Sequence, residues 1–203
     1  MLVGNKQILL HPNVYNPCDD SMLLSNYSRQ LARGRVLDMG TGTGIQAVVA
    51  AEKADTVLAL DVSDDALKLA KQNAQLNRTA NVEFRKSNLF QAVKPDEKFD
   101  LIIFNPPYLP TLPCERIRGP LDAAWNGGID GRRVIGPFLV QFPKHLAKGG
   151  ALLMLHCNLA DTDKTVDTLK EMGFSVKKLE EARFFNERLS VLYATLPDNP
   201  RRA

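Results

Sequence analysis

Residues 35–44 read Arg-Val-Leu-Asp-Met-Gly-Thr-Gly-Thr-Gly, a short apolar strand that runs directly into glycines at positions 40, 42 and 44. A second apolar run, Thr-Val-Leu-Ala-Leu at residues 56–60, closes on Asp61. An acidic residue about 20 positions after the first glycine, at the end of the next strand, is placed to bind ribose hydroxyls. These two strands predict an α/β sheet that binds a nucleoside-containing ligand at the carboxyl ends of its strands.

The spacing of the glycines distinguishes between two kinds of nucleoside cofactor. A dinucleotide fingerprint would need Gly-x-Gly-x-x-Gly, and its third glycine would fall on Ile45. Asp38 carries a carboxylate at the tip of the first strand, which disfavours a phosphate but suits an ammonium group. The cofactor that joins a nucleoside to an amino-acid end is S-adenosyl-L-methionine. We expect Asp61 to hold its ribose and the tip of the first strand to hold its methionine end, through Asp38, Gly40, Gly42 and Gly44.

A second motif, Asn105-Pro106-Pro107-Tyr108, follows the apolar run at residues 99–104. Two prolines lack the N–H that a central strand needs, so the strand must stop there, and the residue before a proline is held extended. Asn105 thus presents a fixed carboxamide, whose acceptor and donor match a glutamine amide or the amine edge of adenine. Tyr108 offers a flat surface for stacking. A strand-ending turn in which Asn105 caps its own backbone is the alternative interpretation.

The remaining hydrophobic pattern predicts a doubly wound, mostly parallel, seven-stranded Rossmann-like sheet with a C-terminal antiparallel strand. We expect one domain over residues 1–203, in which 1–33 covers the cleft, 34–196 forms the catalytic core and 197–203 is a tail. The long stretch 109–133 is rich in proline and glycine, and a loop of that length in a compact domain is usually functional. The predicted strands are 36–38, 56–60, 82–85, 99–104, 150–157, 174–182 and 189–195, and the predicted helices are 21–33, 44–53, 64–78 and 161–172.

Composition sets further bounds on function. The chain has 203 residues, 44% of them hydrophobic, and a net charge of +3, which is less basic than a dedicated nucleic-acid binder. Its three cysteines share no Cys-x-x-Cys spacing, which argues against a disulfide framework and a zinc site and for a reducing cytosol. The chain shows neither a signal peptide nor an apolar run long enough to span a membrane. We therefore expect a cytoplasmic protein without a membrane partner.

The motifs together resemble a known family. The segment 36–45, Asp61 and the Asn-Pro-Pro-Tyr motif look like those of class I S-adenosylmethionine-dependent methyltransferases. The Asn-Pro-Pro-Tyr form resembles the HemK-type glutamine methyltransferases that modify peptide-chain release factors. Residues 15–21, Tyr-Asn-Pro-Cys-Asp-Asp-Ser, and residues 125–132, Trp-Asn-Gly-Gly-Ile-Asp-Gly-Arg, are similar to two motifs of the short archaeal and eukaryotic HemK branch. The resemblance covers residues 11–196.

This resemblance implies methylation of the glutamine in the Gly-Gly-Gln loop of a release factor. Asn105 and the Pro106 carbonyl would position the glutamine amide against Tyr108, and an Asn105→Asp variant would keep part of the activity. Asn88 would bind the adenine amine, although the family usually has Asp there. The resemblance also implies a small zinc-binding activator subunit on the predicted edge strand, residues 82–85. Asn105 would also contribute to cofactor binding, and three further residues would line the cofactor cleft: Tyr15, Asp20 and Ser21.

Two other functions remain open at this stage. A nucleic-acid methyltransferase is one, because a carboxamide cannot tell a base amine from a glutamine amide; the chain lacks the basic stripe and aromatic platform that RNA binding favours. A binding module that retains only the fold is the other, although both sequence motifs are intact. Trp125 is either a packing anchor or part of a peptide groove. His156 is predicted to be a core histidine, and Asp122 to be solvated.

Overall fold

A seven-stranded sheet forms the centre of the structure, a computed structural model that describes residues 1–116, 119, 121–184 and 187–197. A short N-terminal hairpin, β1 (Leu2–Val3) and β2 (Lys6–Gln7), lies apart from this sheet. The strands of the sheet are β3 (Arg35–Met39), β4 (Thr56–Asp61), β5 (Val82–Lys86), β6 (Phe99–Phe104), β7 (Leu146–Cys157), β8 (Ser175–Phe184) and β9 (Glu187–Thr195).

The order of the strands is β5-β4-β3-β6-β7-β9-β8, and β9 alone runs antiparallel to its neighbours. The predicted doubly wound, mostly parallel sheet with a C-terminal antiparallel strand is confirmed. The predicted strand at residues 150–157 begins earlier, at Leu146, and the hairpin of β1 and β2 was not predicted. Two-residue strands carry too little hydrophobic pattern to be recognised from sequence.

The described part of the chain contains six α-helices: α1 (Asp19–Leu31), α2 (Ile45–Ala50), α3 (Asp64–Leu76), α4 (Asp122–Trp125), α5 (Ile135–Gln141) and α6 (Thr162–Glu171). The start of α3 shows how local sequence stabilises a helix end. The Ser63 hydroxyl accepts a hydrogen bond from the Ala66 N–H at 3.3 Å, and Asp64 and Asp65 lie in the positive first turn. None of the helices in the described part of the chain is long and apolar enough to cross a membrane.

The sequence did not predict α4 and α5. The second of these, α5, inserts Phe138 into one face of the sheet, where its ring lies 4.4 Å from that of Phe104 and 5.4 Å from that of Phe142. All three side chains are almost fully buried. A helix of seven residues has too few turns for a helical period to stand out, which explains why it was missed.

The order of the strands brings the two sequence motifs together. β3 pairs with β4 on one side and with β6 on the other, so the direction of winding reverses between β3 and β6. Met39 and Phe104 are register partners, and the glycine loop and Asn105 follow them directly. Open α/β sheets bind their ligands at this kind of topological switch point.

Candidate active site

A cavity of about 850 Å³ opens at the carboxyl ends of β3, β4 and β6. This volume lies within the range of roughly 300–1,000 Å³ that is typical of small-molecule sites. The N-terminal segment that precedes α1 and the loop at residues 109–133 contribute to its walls. Most of the residues predicted for the site line this cavity: Tyr15, Asp20, Ser21, Gly40, Gly42, Asp61, Asn88, Asn105, Pro106 and Tyr108.

Asp38 lies beneath the glycine loop and is not part of the cavity wall, which corrects the expectation that it holds a ligand directly. Its side chain is 1% exposed, and its Oδ2 accepts hydrogen bonds from the Thr41 hydroxyl at 2.6 Å and the Ala47 N–H at 3.1 Å. Burial raises the pKa of Asp38 to about 7, although these two hydrogen bonds act in the opposite direction. Asp38 therefore ties the loop to the first turn of α2.

Gly44 is also absent from the cavity wall and has a packing role. Its φ of +82° lies in the left-handed region, and an added Cβ would lie 2.9 Å from the Cβ of Ala70 on α3. Only glycine allows α2 to start this close to α3 without strain. The glycine pattern read from the sequence is therefore partly a cofactor signal and partly a helix-packing signal.

Asp61 joins the ends of two strands. Its Oδ2 accepts a hydrogen bond from the Gly42 N–H at 2.9 Å, and its Oδ1 accepts one from the Ser63 N–H at 2.9 Å. Burial raises the pKa of Asp61, while the hydrogen bonds from Ser63 and Gly42 act in the opposite direction. A carboxylate has about four lone-pair sites, so each oxygen retains capacity for a further donor from a ligand in the cavity.

Asn88 belongs to the turn that follows β5 and is exposed on the cavity wall. The turn is fixed by Ser87, whose N–H donates to the Asp61 carbonyl at 2.9 Å and whose hydroxyl donates to the Leu89 carbonyl at 2.6 Å. Leu89 has a φ of +49°, which this hydroxyl contact helps to hold. The Asn88 side chain is thus carried by a turn with a defined geometry.

Helix α1 is hydrogen-bonded to Gln46, a buried residue that sequence reasoning missed. Gln46 lies in the first turn of α2, directly after the glycine loop. The Gln46 amide donates to the Ser21 carbonyl at 3.0 Å, and its side-chain oxygen accepts from the Ser28 hydroxyl at 2.9 Å. Asn73 on α3 was also missed, because its partners are distant in sequence. It is fully buried and donates to the carbonyls of Leu9 and Thr43.

Asn105 presents an unusual carboxamide at the end of β6. Its Nδ2 donates to Asp20 Oδ2 at 2.9 Å, whereas its Oδ1 is buried and has no hydrogen-bond partner among the residues that the structure describes. Asp20 is 4% exposed, and its other oxygen accepts from the Ser21 N–H at 2.5 Å and the Ser21 hydroxyl at 3.0 Å. Asp20 therefore fixes the orientation of the carboxamide. A buried acceptor without a donor is costly, which indicates that a ligand supplies the donor.

Aromatic side chains form part of the cavity wall near Asn105. Tyr15 meets Trp125 edge to face, with 6.2 Å between the ring centroids, and Tyr108 lies on the same wall. Burial raises the pKa of both tyrosine hydroxyls well above the usual value, and the negative charge of Asp20 raises it further. Both tyrosines are therefore neutral at physiological pH and serve as flat, apolar surfaces.

The loop at residues 109–133 is ordered by its own hydrogen bonds where the structure describes it. Leu109 donates to the Trp125 carbonyl at 3.2 Å and accepts from the Gly127 N–H at 2.9 Å. Asp122 is not solvated as expected: it is 9% exposed, lies 2.7 Å from Arg116 in an ion pair, and accepts from the Asn126 amide. Arg116 lowers the pKa of Asp122 through its hydrogen bond. Asp122 therefore organises the loop internally.

His156 is a core residue, as predicted. It is fully buried on β7, and both ring nitrogens lie within hydrogen-bond distance of polar partners, which are the Cys157 carbonyl and the hydroxyls of Thr162 and Thr165. Burial lowers the pKa of His156 to about 4, so the ring is neutral near pH 7.

Comparison with known proteins identifies the family. A family model described as a methyltransferase domain matches residues 31–190. A Methanocaldococcus jannaschii chain provisionally named protein N5-glutamine methyltransferase is 39% identical over 93% of this chain and 94% of its own length. The release factor glutamine methyltransferase of Aliivibrio fischeri is 32% identical, over 77% of this chain but only 57% of its own length.

Solved structures agree on the fold. A chain of the E. cuniculi Mtq2–Trm112 complex, described as responsible for methylation of the eRF1 translation termination factor, superimposes with a TM-score of 0.71 at 22% identity. The match covers 91% of this chain and 99% of that one. A ribosomal protein L11 methylase of Lactobacillus delbrueckii gives a TM-score of 0.65 at 24% identity, over 90% and 82% of the two chains.

The sheet, the cavity at its switch point and the matched domain define a class I methyltransferase. The relatives narrow this class further. The chain belongs to the family of protein N5-glutamine methyltransferases, which confirms the resemblance found in its sequence.

Proposed function

We propose that this protein transfers a methyl group from S-adenosyl-L-methionine to the side-chain amide nitrogen of a glutamine in the Gly-Gly-Gln loop of a class I peptide-chain release factor. The buried, unpaired Oδ1 of Asn105 carries this proposal, because it lacks a donor that an amide N–H of glutamine would supply. The names of the bacterial relatives support a release factor as the substrate. Since translation termination is cytoplasmic, we also assign the protein to the cytoplasm. Residues 1–203 would act as one methyltransferase domain.

The cavity residues fit the cofactor. When bound, S-adenosyl-L-methionine supplies an activated methyl group. Asp61 would hold the ribose hydroxyls and Asn88 the adenine amine, and Gly40 and Gly42 would let the backbone approach the methionine end. Asp38 would act beneath them by holding the loop in shape. We further place Tyr15 and Ser21 on the wall that excludes water from the cofactor.

Positioning of the acceptor is the main task of the protein, because an amide nitrogen is a poor nucleophile whose lone pair is delocalised. Asn105 Oδ1 would accept one amide N–H of the glutamine, and the Pro106 carbonyl would accept the other. These two contacts orient the nitrogen, and the ring of Tyr108 limits the tilt of the planar amide. The S–CH3 bond would break as the N–CH3 bond forms, which leaves S-adenosylhomocysteine, and the methylated nitrogen would then release one proton to solvent. Alignment of the reacting atoms in a dry site would supply the rate enhancement.

Asp20 would act through Asn105 in this arrangement. Its hydrogen bond to Nδ2 holds the carboxamide so that Oδ1 faces the acceptor. If the carboxamide turned over, an N–H would meet the N–H of the substrate and the contact would become repulsive. Asp20 is therefore assigned as a positioning residue, and Asn105 as a residue that touches the substrate.

Transfer of a radioactive methyl group tests the choice of substrate. The protein should be incubated with tritiated S-adenosyl-L-methionine and, separately, with a release factor, tRNA and rRNA from the same organism. We expect label in the release factor, and mass spectrometry should place one added methyl on the glutamine of its Gly-Gly-Gln sequence. Label found only in RNA would replace the glutamine assignment with a base amine, and no transfer to any acceptor would argue for a binding module.

An activator subunit is a further part of the proposal. β5 pairs with β4 on one side only, so it forms an edge of the sheet in the described chain, as predicted. Phe84 is a half-buried apolar residue on this edge. The E. cuniculi relative in fold was solved as a complex with Trm112. We infer that a small zinc-binding subunit covers β5 by adding to the sheet edge.

Co-expression tests this partner. We expect the lone chain to be poorly soluble or weakly active, and co-expression with the small zinc-binding subunit to restore both properties. Phe84→Asp should prevent the rescue because it puts a charge into the interface. Leu179→Asp is the matched control, since Leu179 is a half-buried residue on β8, at the opposite edge of the sheet. A fully active, monodisperse isolated chain would exclude a required partner.

A further inference from the structure

A second buried polar atom without a partner lies in the same cavity wall as Asn105. Among the described residues, two side chains carry a buried nitrogen or oxygen with no hydrogen-bond partner: Asn105 through Oδ1 and Trp125 through Nε1. Both residues line the same cavity. One is an acceptor that lacks a donor, and the other is a donor that lacks an acceptor. The wall of this cavity therefore contains two buried polar atoms of opposite kind that lack partners in the described part of the chain.

The indole of Trp125 is held in place by its surroundings. The backbone carbonyl of Trp125 accepts a hydrogen bond from the Leu109 N–H, and the next residue, Asn126, forms an isolated β-bridge with Leu109. The Arg133 guanidinium donates to the Asn126 carbonyl at 2.7 Å, and the Trp125 ring meets Tyr15 edge to face. A donor fixed in this way loses little conformational entropy when it binds a ligand.

The position of Trp125 in the chain associates it with the acceptor substrate. Leu109, to which its backbone is hydrogen-bonded, directly follows Tyr108 of the Asn-Pro-Pro-Tyr motif. The residues assigned to the nucleoside part of the cofactor belong instead to the ends of β4 and β5. Trp125 is therefore hydrogen-bonded to the segment that follows Asn105, and its unpaired N–H belongs to the wall beside the proposed acceptor position.

We propose that Trp125 Nε1 donates a hydrogen bond to a main-chain carbonyl oxygen of the substrate polypeptide next to the target glutamine. An indole N–H is a donor only, and a peptide offers a carbonyl at every residue. Glycines beside the glutamine would let the substrate backbone approach the indole closely. This inference rests on the proposed function and assigns to the enzyme a residue that recognises the peptide backbone.

Kinetics of Trp125→Phe test the inference, because phenylalanine keeps an aromatic ring against Tyr15 and removes the N–H. We expect the KM for the release factor to rise about three- to tenfold, as for the loss of one neutral hydrogen bond, with kcat within about twofold. The dissociation constant of S-adenosylhomocysteine should not change. An unchanged KM, or a loss of S-adenosylhomocysteine affinity in its place, would overturn the proposal.

Tyr27→Phe provides a matched control. It also removes one aromatic donor, from the Tyr27 hydroxyl to the Leu179 carbonyl, and it lies outside the cavity. Its KM and kcat should equal those of the unaltered protein. A rise in KM in both variants would point to a general loss of stability and would overturn the specific role of Trp125.

Fluorescence gives a second test that needs no variant, because Trp125 is the only tryptophan of the chain. A tryptophan-free peptide that contains Gly-Gly-Gln, added to the protein with S-adenosylhomocysteine, should shift the emission and protect it from acrylamide. An emission that responds to S-adenosylhomocysteine but not to the peptide would contradict the proposal. Failure of the proposed function would look different from failure of this inference. In that case even the unaltered enzyme would transfer no methyl group to the glutamine of the release factor.

Discussion

Replacement of Asn105 by alanine is expected to lower kcat for release-factor methylation by about 10²- to 10³-fold, the effect of removing one positioned hydrogen-bonding group from a site of this kind. Asn105 Oδ1 would accept an N–H from the acceptor, so the variant loses a contact that orients the nitrogen. The affinity for S-adenosylhomocysteine, measured by calorimetry, should be nearly unchanged. A variant that kept its rate would remove Asn105 from the reaction.

Two companion variants separate the functions of the carboxamide and its support. Sequence alone predicts that Asn105→Asp keeps part of the activity, but the structure changes that expectation, because the new carboxylate would face Asp20, whose Oδ2 lies 2.9 Å from Asn105 Nδ2. We therefore expect Asn105→Asp to be nearly as impaired as alanine. Asp20→Ala should lower kcat by about 10- to 100-fold through misorientation of the carboxamide, with cofactor affinity retained. Equal activity of Asp20→Ala and the unaltered protein would refute the positioning role.

Replacement of Asp61 by alanine is expected to weaken binding of S-adenosylhomocysteine by about 1–3 kcal/mol, since two hydrogen bonds to ribose hydroxyls would be lost. Asp61 also binds the Gly42 N–H, so the glycine loop loses an anchor in the same variant. Isothermal titration calorimetry measures the change directly. The affinity of Asp61→Asn for S-adenosylhomocysteine should lie between those of the unaltered protein and Asp61→Ala, because an amide oxygen can still accept one of these hydrogen bonds.

A control for Asp61 comes from the same region of the sequence. Asp55 is exposed, immediately precedes β4 and does not line the cavity, so Asp55→Ala removes an equal charge without touching the site. Its affinity for S-adenosylhomocysteine should match that of the unaltered protein. Unchanged affinity of Asp61→Ala would exclude Asp61 from the cofactor site, and tight binding of NADH would contradict the assigned cofactor class.

The sequence was sufficient to predict the sheet and to predict that the glycine loop and the Asn-Pro-Pro-Tyr motif lie close together. Each motif follows an apolar strand, and the carboxyl ends of parallel strands share one edge of the sheet, so Gly40 and Asn105 had to lie near each other. The positions of Tyr15, Asp20 and Ser21 came from family resemblance instead. No period or spacing in the chain shows that the segment before α1 and the first turn of that helix line a cavity.

Contacts between residues distant in sequence could not be predicted. Asp20 and Asn105 are 85 residues apart, and their hydrogen bond depends on how α1 docks on the sheet. From the sequence, Asp38 looked like a ligand-binding carboxylate. Its burial beneath the loop arises only from the packed structure and could not be read from the sequence. Asp122 looked solvated for the same reason, since Arg116 and Asn126 become its partners only when the loop closes.

The glycines of the loop at residues 109–133 constrain how this enzyme can change. A Cβ on Gly131 would collide with the carbonyl oxygen of Tyr108, and one on Gly127 would lie 2.7 Å from the backbone of Gly131. At these two glycines the described part of the loop therefore packs closely on itself and on the Asn-Pro-Pro-Tyr motif. A new substrate preference cannot arise by enlarging these two positions one at a time. It requires exchange of the whole segment, or substitution at side chains that point into the cavity, such as Trp125.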